Sequence, residues 1–331
     1  MIMSYLDVPT TDPAFNLALE QYVFDCLPRD RGYFMLWQND NTIVVGRHQN
    51  TLAEINEDYV RTHGVQVVRR LSGGGAVYHD LGNLNFTFIV DSADQGQLDF
   101  GLFCRPVSQA LKSLGVDAQI NGRNDITING KKFSGNAQYV REGRVMHHGT
   151  IMFDSDLSAV AQALQVAPDK IKGKGIPSVR SRVTNVREHL PADLTLAQFK
   201  AILVEEILRG QEVIPCTLTQ QDLAAVEELR RERYSTWSWN YGRSPACTLL
   251  RRERFDGCGL VEAHISLDHG IIQSIQFTGD FFSTVEPEEL AGRLAGQPLT
   301  LEACTLALEG AEVGQYFMGL DQPRLLKLLC G

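Results

Sequence analysis

The sequence predicts an α/β protein of the α+β kind, with mixed or antiparallel sheets flanked by helices. Three observations point there. Short runs rich in aromatic and β-branched residues do not alternate strictly with helical patterns, which disfavours a doubly wound parallel sheet. Asn129-Gly130 and Asp268-His269-Gly270 each sit between strand-like runs, where tight hairpin loops belong. With 331 residues, 44% of them apolar and 21% charged, the chain can bury the cores of two domains.

Taken in order, Thr11-Asp12-Pro13 reads as a helix start and therefore as the first element, with a capping carboxylate, a proline at the first helical position and apolar periodicity through Leu27. Strands are predicted at Tyr33 to Trp37, Thr42 to Val45, Gln66 to Arg70 and Asn85 to Val90, and helices at Phe100 to Leu114 and Leu194 to Arg209. Thr219 caps a further helix running to Arg233, after which Trp237 to Pro245 breaks the periodicity with a Gly and a Pro. A boundary near 243 to 248 divides the chain into 1–244 and 245–331. The second part holds strands at Val261 to Leu267 and Ile271 to Thr278 and helical patterns around 286–294 and 321–329, a small α+β unit.

A net charge of −9 argues against general affinity for nucleic acid, since neutralising phosphates takes clustered Lys and Arg. The seven cysteines are an odd number without a C-x-x-C pair, which suits a reducing compartment and excludes the usual zinc spacing. The chain lacks both a secretory pattern at its start and an apolar run long enough for a bilayer, so a soluble cytoplasmic protein is expected.

Four segments carry chemistry. Arg69-Arg70-Leu71-Ser72-Gly73-Gly74-Gly75, continuing through His79 and Asn83, joins a glycine run with free backbone N–H groups to two arginines, a pattern suited to phosphate or carboxylate. It is neither a Walker A loop nor a dinucleotide fingerprint. In the second segment, a hairpin about Asn129-Gly130 pairs Ile128 with Lys131, Thr127 with Lys132 and Ile126 with Phe133. Alternation then puts Lys132, Thr127 and Asp125 on one face, with Phe133 on the other. If Phe133 marks the core, Lys132 faces a polar or ligand-filled space; an exposed lysine in a solvated ion pair is the plainer alternative. The third segment, Val145 to Phe153, places His148 and Thr150 opposite His147 and Gly149, and adjacent histidines on a strand cannot share a metal. The fourth, Lys170 to Asn185, is a basic glycine-containing loop that could close over a phosphate.

Together these segments resemble lipoate-protein ligases. R-R-x-S-G-G-G-A-V-x-H-D-x-G-N at 69–83, G-R-N-D at 122–125, K-x-S-G-x-A at 132–137, H-H-G-T at 147–150 and S-R-V-x-N at 181–185 stand in that family's order. The resemblance implies a catalytic domain related to biotin ligases and class II aminoacyl-tRNA synthetases, followed by a small accessory domain. It also implies a two-step reaction: MgATP and lipoate (or octanoate) give lipoyl-AMP, which acylates a lysine of apo lipoyl domains of 2-oxoacid dehydrogenase E2 subunits or of glycine cleavage protein H.

By resemblance Lys132 is the catalytic cation. Arg70, Gly75, Ala76, Val77, Tyr78, Asn83, Asp125, His148, Gly149 and Thr150 would join it around ATP and the adenylate. Trp37, Ser72, Gly73, Gly74, His79, Ser134, Gly135 and Ala137, with Arg70, Val77 and Lys132, would hold lipoate. Lys172, Gly173, Ser181, Arg182 and Asn185 would form a loop ordering over the adenylate, and Mg2+ would arrive with ATP, with Asp125 its candidate protein ligand. Tyr78 and Asn136 stand where the family often has Phe and Ser.

A monomer is expected, and an accessory domain that swings once the adenylate forms. An octanoyltransferase of the same fold would need a cysteine nucleophile, and none lies between Cys104 and Cys216. An inactive lipoyl- or nucleotide-binding module is the remaining alternative.

Overall fold

The computed structural model describes residues 2–91, 99–122, 124–164, 182–242 and 249–330. Its strands in chain order are β1 (Ile2–Asp7), β2 (Gly32–Trp37), β3 (Thr42–Val45), β4 (Gln66–Arg69), β5 (Val77–His79), β6 (Asn83–Asp91), β7 (Ala118–Asn121), β8 (Asp125–Ile128), β9 (Lys131–Arg141), β10 (Arg144–Met152), β11 (Glu212–Pro215), β12 (Leu249–Phe255), β13 (Gly259–Asp268) and β14 (Ile271–Gly279). Eight form one mixed sheet in the order β11-β1-β2-β6-β10-β9-β8-β7. The β11-β1-β2 edge is parallel and the remaining pairs are antiparallel. The mixed α+β architecture expected from the sequence is thus the one observed.

Both faces of this sheet are covered, which is why all six residues of β2 are buried. On one face Phe34, Leu36, Phe86, Phe88 and Phe133 pack with the helices Phe100–Ser113 and Leu196–Leu208. On the other, Tyr33, Met35, Trp37, Ile89 and Met146 meet the helix Pro13–Cys26. That helix begins as predicted: the Asp12 carboxylate accepts from the Ala14 and Phe15 N–H groups, and Pro13 occupies the first turn. A small sheet, β4-β3-β5, lies above this second face and supplies Val44 and Val77.

Several expectations change. The first element is β1, not the helix, and β1 draws its order from parallel pairing with β11 and β2 rather than from its own sequence. Trp237–Tyr241 is a short helix capped by Thr236, where a break was expected; Gly242 only ends it. In the 125–135 hairpin Asn129 and Gly130 both take positive φ as predicted, and Thr127 faces Lys132. A bulge between Ile126 and Thr127 then pairs Ile126 with Ser134, not Phe133, because the bulge inserts one residue into β9.

The C-terminal part has an antiparallel sheet β12-β13-β14 with a core of its own, including Phe277, Phe317, Leu290 and Leu325. The strand β12 and the helices Leu301–Ala307 and Val313–Tyr316 were not foreseen. The segment after β14 packs on the glycine run: Gly74 N–H donates to Phe281 O at 3.1 Å, and the Phe282 ring joins the core of the large sheet. The expected boundary at 243–248 lies outside the described residues. Among the described residues no helix is long and apolar enough to cross a membrane.

Candidate active site

The large sheet, the small sheet and the glycine run enclose a cavity of about 110 Å3. Alternation along the strands decides what enters it. On β6 and β10 the residues facing the Pro13–Cys26 side include Asn85, Thr87, His148 and Thr150, while Phe86, Phe88 and His147 face the aromatic core. Of the residues singled out from the sequence, Trp37, Arg70, Gly74, Gly75, Ala76, Val77, His79, Lys132, Gly135, Ala137, His148, Gly149 and Thr150 line the cavity.

Lys132 stands at its polar end with Nζ 2.7 Å from Asp125 Oδ1, and Phe133 is fully buried on the opposite side of the strand. Gly135 leaves the room that Lys132 uses: a Cβ there would lie 3.0 Å from Nζ. The lysine is 38% exposed, so the ion pair contributes little to stability and the cation stays accessible to a ligand.

Arg70 is buried and cross-links the glycine run. Its Nη2 donates to Gly73 O (2.7 Å) and Gly75 O (2.9 Å), Nη1 to Val44 O (3.2 Å) and Nε to Ser72 Oγ (3.0 Å). Burial lowers its pKa to about 10, which still leaves it charged at neutral pH. Ser72 Oγ lies 2.6 Å from His148 Nε2, and His148 Nδ1 donates to Glu20 at 3.0 Å. Glu20 also accepts from Thr87 Oγ1 (2.5 Å), which accepts from Trp37 Nε1 (2.9 Å). One hydrogen-bond chain therefore joins the apolar wall at Trp37 to the glycine run, with the buried Glu20 at its centre.

Other expected residues stand elsewhere. Ser72 lies behind the wall, in the chain just described. Tyr78 turns its hydroxyl to Asn41 Oδ1 (2.9 Å), on the side of β5 opposite Val77 and His79. Asn83 donates to Asn85 Oδ1 at 2.9 Å, and Ser134 accepts from Asn136 Nδ2 at 3.2 Å, so both back residues that do line the cavity. Gly73 faces a separate cleft shared with Ser283 to Glu286. Asn185 brackets Ser155 through its N–H and carbonyl, both at 2.9 Å, and holds the chain rather than the cavity. Arg182 is exposed, and Lys172, Gly173 and Ser181 lie outside the described residues.

Leu17, Val44, Asn85, Asn124 and Asn136 complete the lining. Asn85 could have been found, being two residues from Asn83 on one strand; Leu17 and Val44 carry no local signal. Asn136 and Asn124 clamp each other: Asn136 Nδ2 donates to Asn124 O at 3.0 Å and Asn124 Nδ2 to Asn136 O at 2.6 Å. Gly149 makes room for this clamp, since a Cβ there would lie 2.2 Å from Asn136 Oδ1.

Comparison with known proteins follows the same lines. Residues 12–208 match the Lipoyl protein ligase A/B catalytic domain, and residues 244–329 the Bacterial lipoate protein ligase C-terminus. The chain is 43% identical over 319 residues to Lipoate--protein ligase 1 of Staphylococcus aureus, covering 96% of this chain and 97% of that one. It is 41% identical over 321 residues to Lipoate-protein ligase LplJ of Bacillus subtilis, again covering 96% and 97%. Its fold matches P. falciparum LipL1 in complex with lipoate (TM-score 0.76, 22% identity, 99% of this chain and 98% of that). A lipoate-protein ligase A bound with ATP is also similar (TM-score 0.62, 27% identity, 72% of this chain and 98% of that). With the family's catalytic region matched over more than half its length and relatives this close along nearly all of it, the chain belongs to the lipoate-protein ligases.

Proposed function

We propose that this ligase uses ATP to convert lipoate, or octanoate, to an acyl-adenylate and passes the acyl group to a lysine of an acceptor protein. The single observation that carries the reading is Lys132: a solvent-accessible ammonium at the polar end of a cavity whose remaining walls include Leu17, Trp37, Val44, Val77 and Ala137. An acid with an apolar tail fits such a space with its carboxylate toward the cation. A carboxylate oxygen attacks the α-phosphorus, the bond from the α-phosphorus to the α,β-bridging oxygen breaks, and pyrophosphate leaves with that oxygen. Lys132 offsets the negative charge gathered on the phosphoryl oxygens. The glycine run supplies backbone donors on the facing wall, its shape held by Arg70. In the second step the acceptor amine attacks the acyl carbon and AMP leaves. The adenylate-binding roles of Gly75 to Tyr78, Asn83, His148 and Thr150 belong to this reading, Tyr78 through its backbone.

Magnesium would come with the phosphates. It commonly takes one or two carboxylates and keeps several waters, so Asp125 beside Lys132 fits as its protein ligand. Bound there, it would neutralise charge on the departing pyrophosphate.

We take the acceptors to be of the lipoyl-domain type, E2 subunits or glycine cleavage protein H; support comes from one related structure, a bi-partite lipoate protein ligase and its E2 lipoyl domain from Thermoplasma acidophilum. We assign 1–244 as catalytic and 245–331 as accessory domain, a division supported by the separate core of the C-terminal sheet. The free cysteines suit a cytoplasmic enzyme, and we propose that it acts there as a monomer.

A cysteine-dependent acyl transfer is disfavoured on new grounds. Cys104 Sγ does lie 4.0 Å from His147 Nε2, but both are buried in the aromatic core, and burial pushes the thiol up to about 12. The test is pyrophosphate release from ATP with lipoate, octanoate or biotin, followed by the mass of apo lipoyl-domain and H-protein acceptors. Lipoate-dependent release with a lipoyl mass gain supports the reading; acyl transfer from an octanoyl carrier without ATP would overturn it.

A further inference from the structure

A second cleft, of about 320 Å3, lies against Leu71 and Gly73 and is separate from the cavity that holds Lys132. Its lining carries three guanidinium groups, Arg47, Arg141 and Arg233, and a single carboxylate, Glu286. In a chain with a net charge of −9 this is a local excess of positive charge. The proposed acyl transfer uses none of these four side chains.

Two of the arginines gather at Trp239. The guanidinium carbons of Arg47 and Arg233 lie 4.6 Å and 4.9 Å from the centre of its ring. The ring is itself fixed, its Nε1–H donating to Arg69 O at 2.9 Å. Arg233 also stands in a single π-helical turn, Arg230–Tyr234, a geometry frequent at functional sites. A cation over a ring is held through its charge, which leaves its N–H groups for other partners. Few are taken. Arg233 Nη1 donates to Gln21 Oε1 (2.9 Å), Arg47 Nη2 to Glu286 Oε1 (3.2 Å) and Arg141 Nη2 to Asp25 Oδ1 (2.6 Å). A guanidinium has five N–H groups, so among the described residues all three arginines keep donors to spare.

We infer that this cleft binds a small oxyanion of the phosphate class, free phosphate or pyrophosphate, through Arg47, Arg141 and Arg233, with Glu286 as its internal competitor. Guanidinium groups meet phosphate oxygens two at a time, and the cleft has room for either anion with water but not for a folded partner. Glu286 is half-exposed, and its bond to Arg47 is the longest of the three, so an anion can take its place. The site also touches the glycine run from behind: Gly73 lines the cleft, and the Arg47 N–H donates to Ser72 O at 2.9 Å. Binding here needs no step of the proposed reaction and stands or falls apart from it.

The experiment titrates the full chain, labelled with 15N, with inorganic phosphate and separately with pyrophosphate, at an ionic strength held constant with chloride. The indole N–H signals are followed by NMR. Trp37 lines the catalytic cavity and Trp239 the cleft, so the two signals tell the sites apart. Phosphate is expected to move the Trp239 signal to saturation and leave Trp37 in place; the anion that saturates Trp239 at the lower concentration is the preferred one. Arg233→Gln should weaken binding about tenfold. Glu286→Gln should tighten it about threefold, because the competing carboxylate is gone. A Trp239 signal that stays still, drifts without saturating, or saturates alike in wild type and both variants overturns the inference. So does a phosphate response confined to Trp37. If Arg233→Gln fails to fold, Glu286→Gln decides alone by the sign of its effect, since it removes only a half-exposed carboxylate.

Discussion

The two faces of β10 use the same residue type in opposite ways. On the cavity face His148 is wired to Glu20 and Ser72 and stands against open space. On the other face its neighbour His147 is stacked against Phe103 (4.9 Å, 22°) and Phe86 (5.9 Å, 26°), accepts from Gln138 Nε2 (2.9 Å) and donates to Asn136 Oδ1 (3.2 Å). The same division separates Arg69 from Arg70. Arg69 is fully buried and gives its protons to the carbonyls of Gly46, Gln49 and Trp239, whereas Arg70 shapes the glycine run. Residue type therefore does not distinguish cavity lining from scaffold here; what each side chain faces does.

Lys132→Ala should test the cavity side most strongly, lowering pyrophosphate release by about 100- to 1000-fold with an unchanged unfolding midpoint. Near-normal release would remove Lys132 from its proposed role. Arg69→Ala should do the reverse, costing about 3 kcal/mol of stability because several buried carbonyls lose their donor at once, read by urea unfolding. Loss of activity without loss of stability would place Arg69 on the wrong side of the comparison.

Glu20→Gln keeps the shape at the centre of the hydrogen-bond chain but replaces an acceptor-only carboxylate that takes protons from both His148 and Thr87. We expect kcat/KM to fall about tenfold, with acceptor lipoylation as the readout.

The smallest effect at neutral pH concerns His147. Burial holds its folded pKa well below the free value, so the native ring is neutral while the unfolded one protonates near about pH 6.5. The unfolded state then binds more protons, so stability is full above that pH and declines as pH falls, by up to about 1.4 kcal/mol per unit per such histidine. His79 adds to the same slope. His147→Phe should flatten it, seen as a smaller loss of unfolding free energy between about pH 7 and about pH 5. An unchanged slope would mean that His147 is not held neutral.

What the sequence made legible was local. Asp12-Pro13 announced its helix, and Asn129-Gly130 set the near end of the hairpin, which is enough to put Lys132 beside Asp125 and opposite Phe133. The bulge beyond Ile126 was hidden, since nothing in alternation marks an inserted residue. Also hidden was whatever depends on distant partners: β1 needs β11, about two hundred residues later, to complete its pairing. Glu20 and Leu17 look like ordinary helix positions until the sheet beneath them is known. The motifs named the neighbourhood of the site, and only the packed sheets separated Ser72 and Tyr78, which do not line the cavity, from Asn85 and Asn136, which do.

The bond from Gly74 N–H to Phe281 O joins the glycine run to the C-terminal part of the chain. One proton cannot serve two oxygens equally well, so any ligand oxygen that takes the Gly74 proton competes with Phe281. Thermodynamic reciprocity then applies: the free energy by which such a ligand loosens the Gly74–Phe281 contact equals that by which the intact contact weakens the ligand. For such a ligand, the Gly74 amide would tie occupancy of the cavity to the packing of Phe281 on the glycine run.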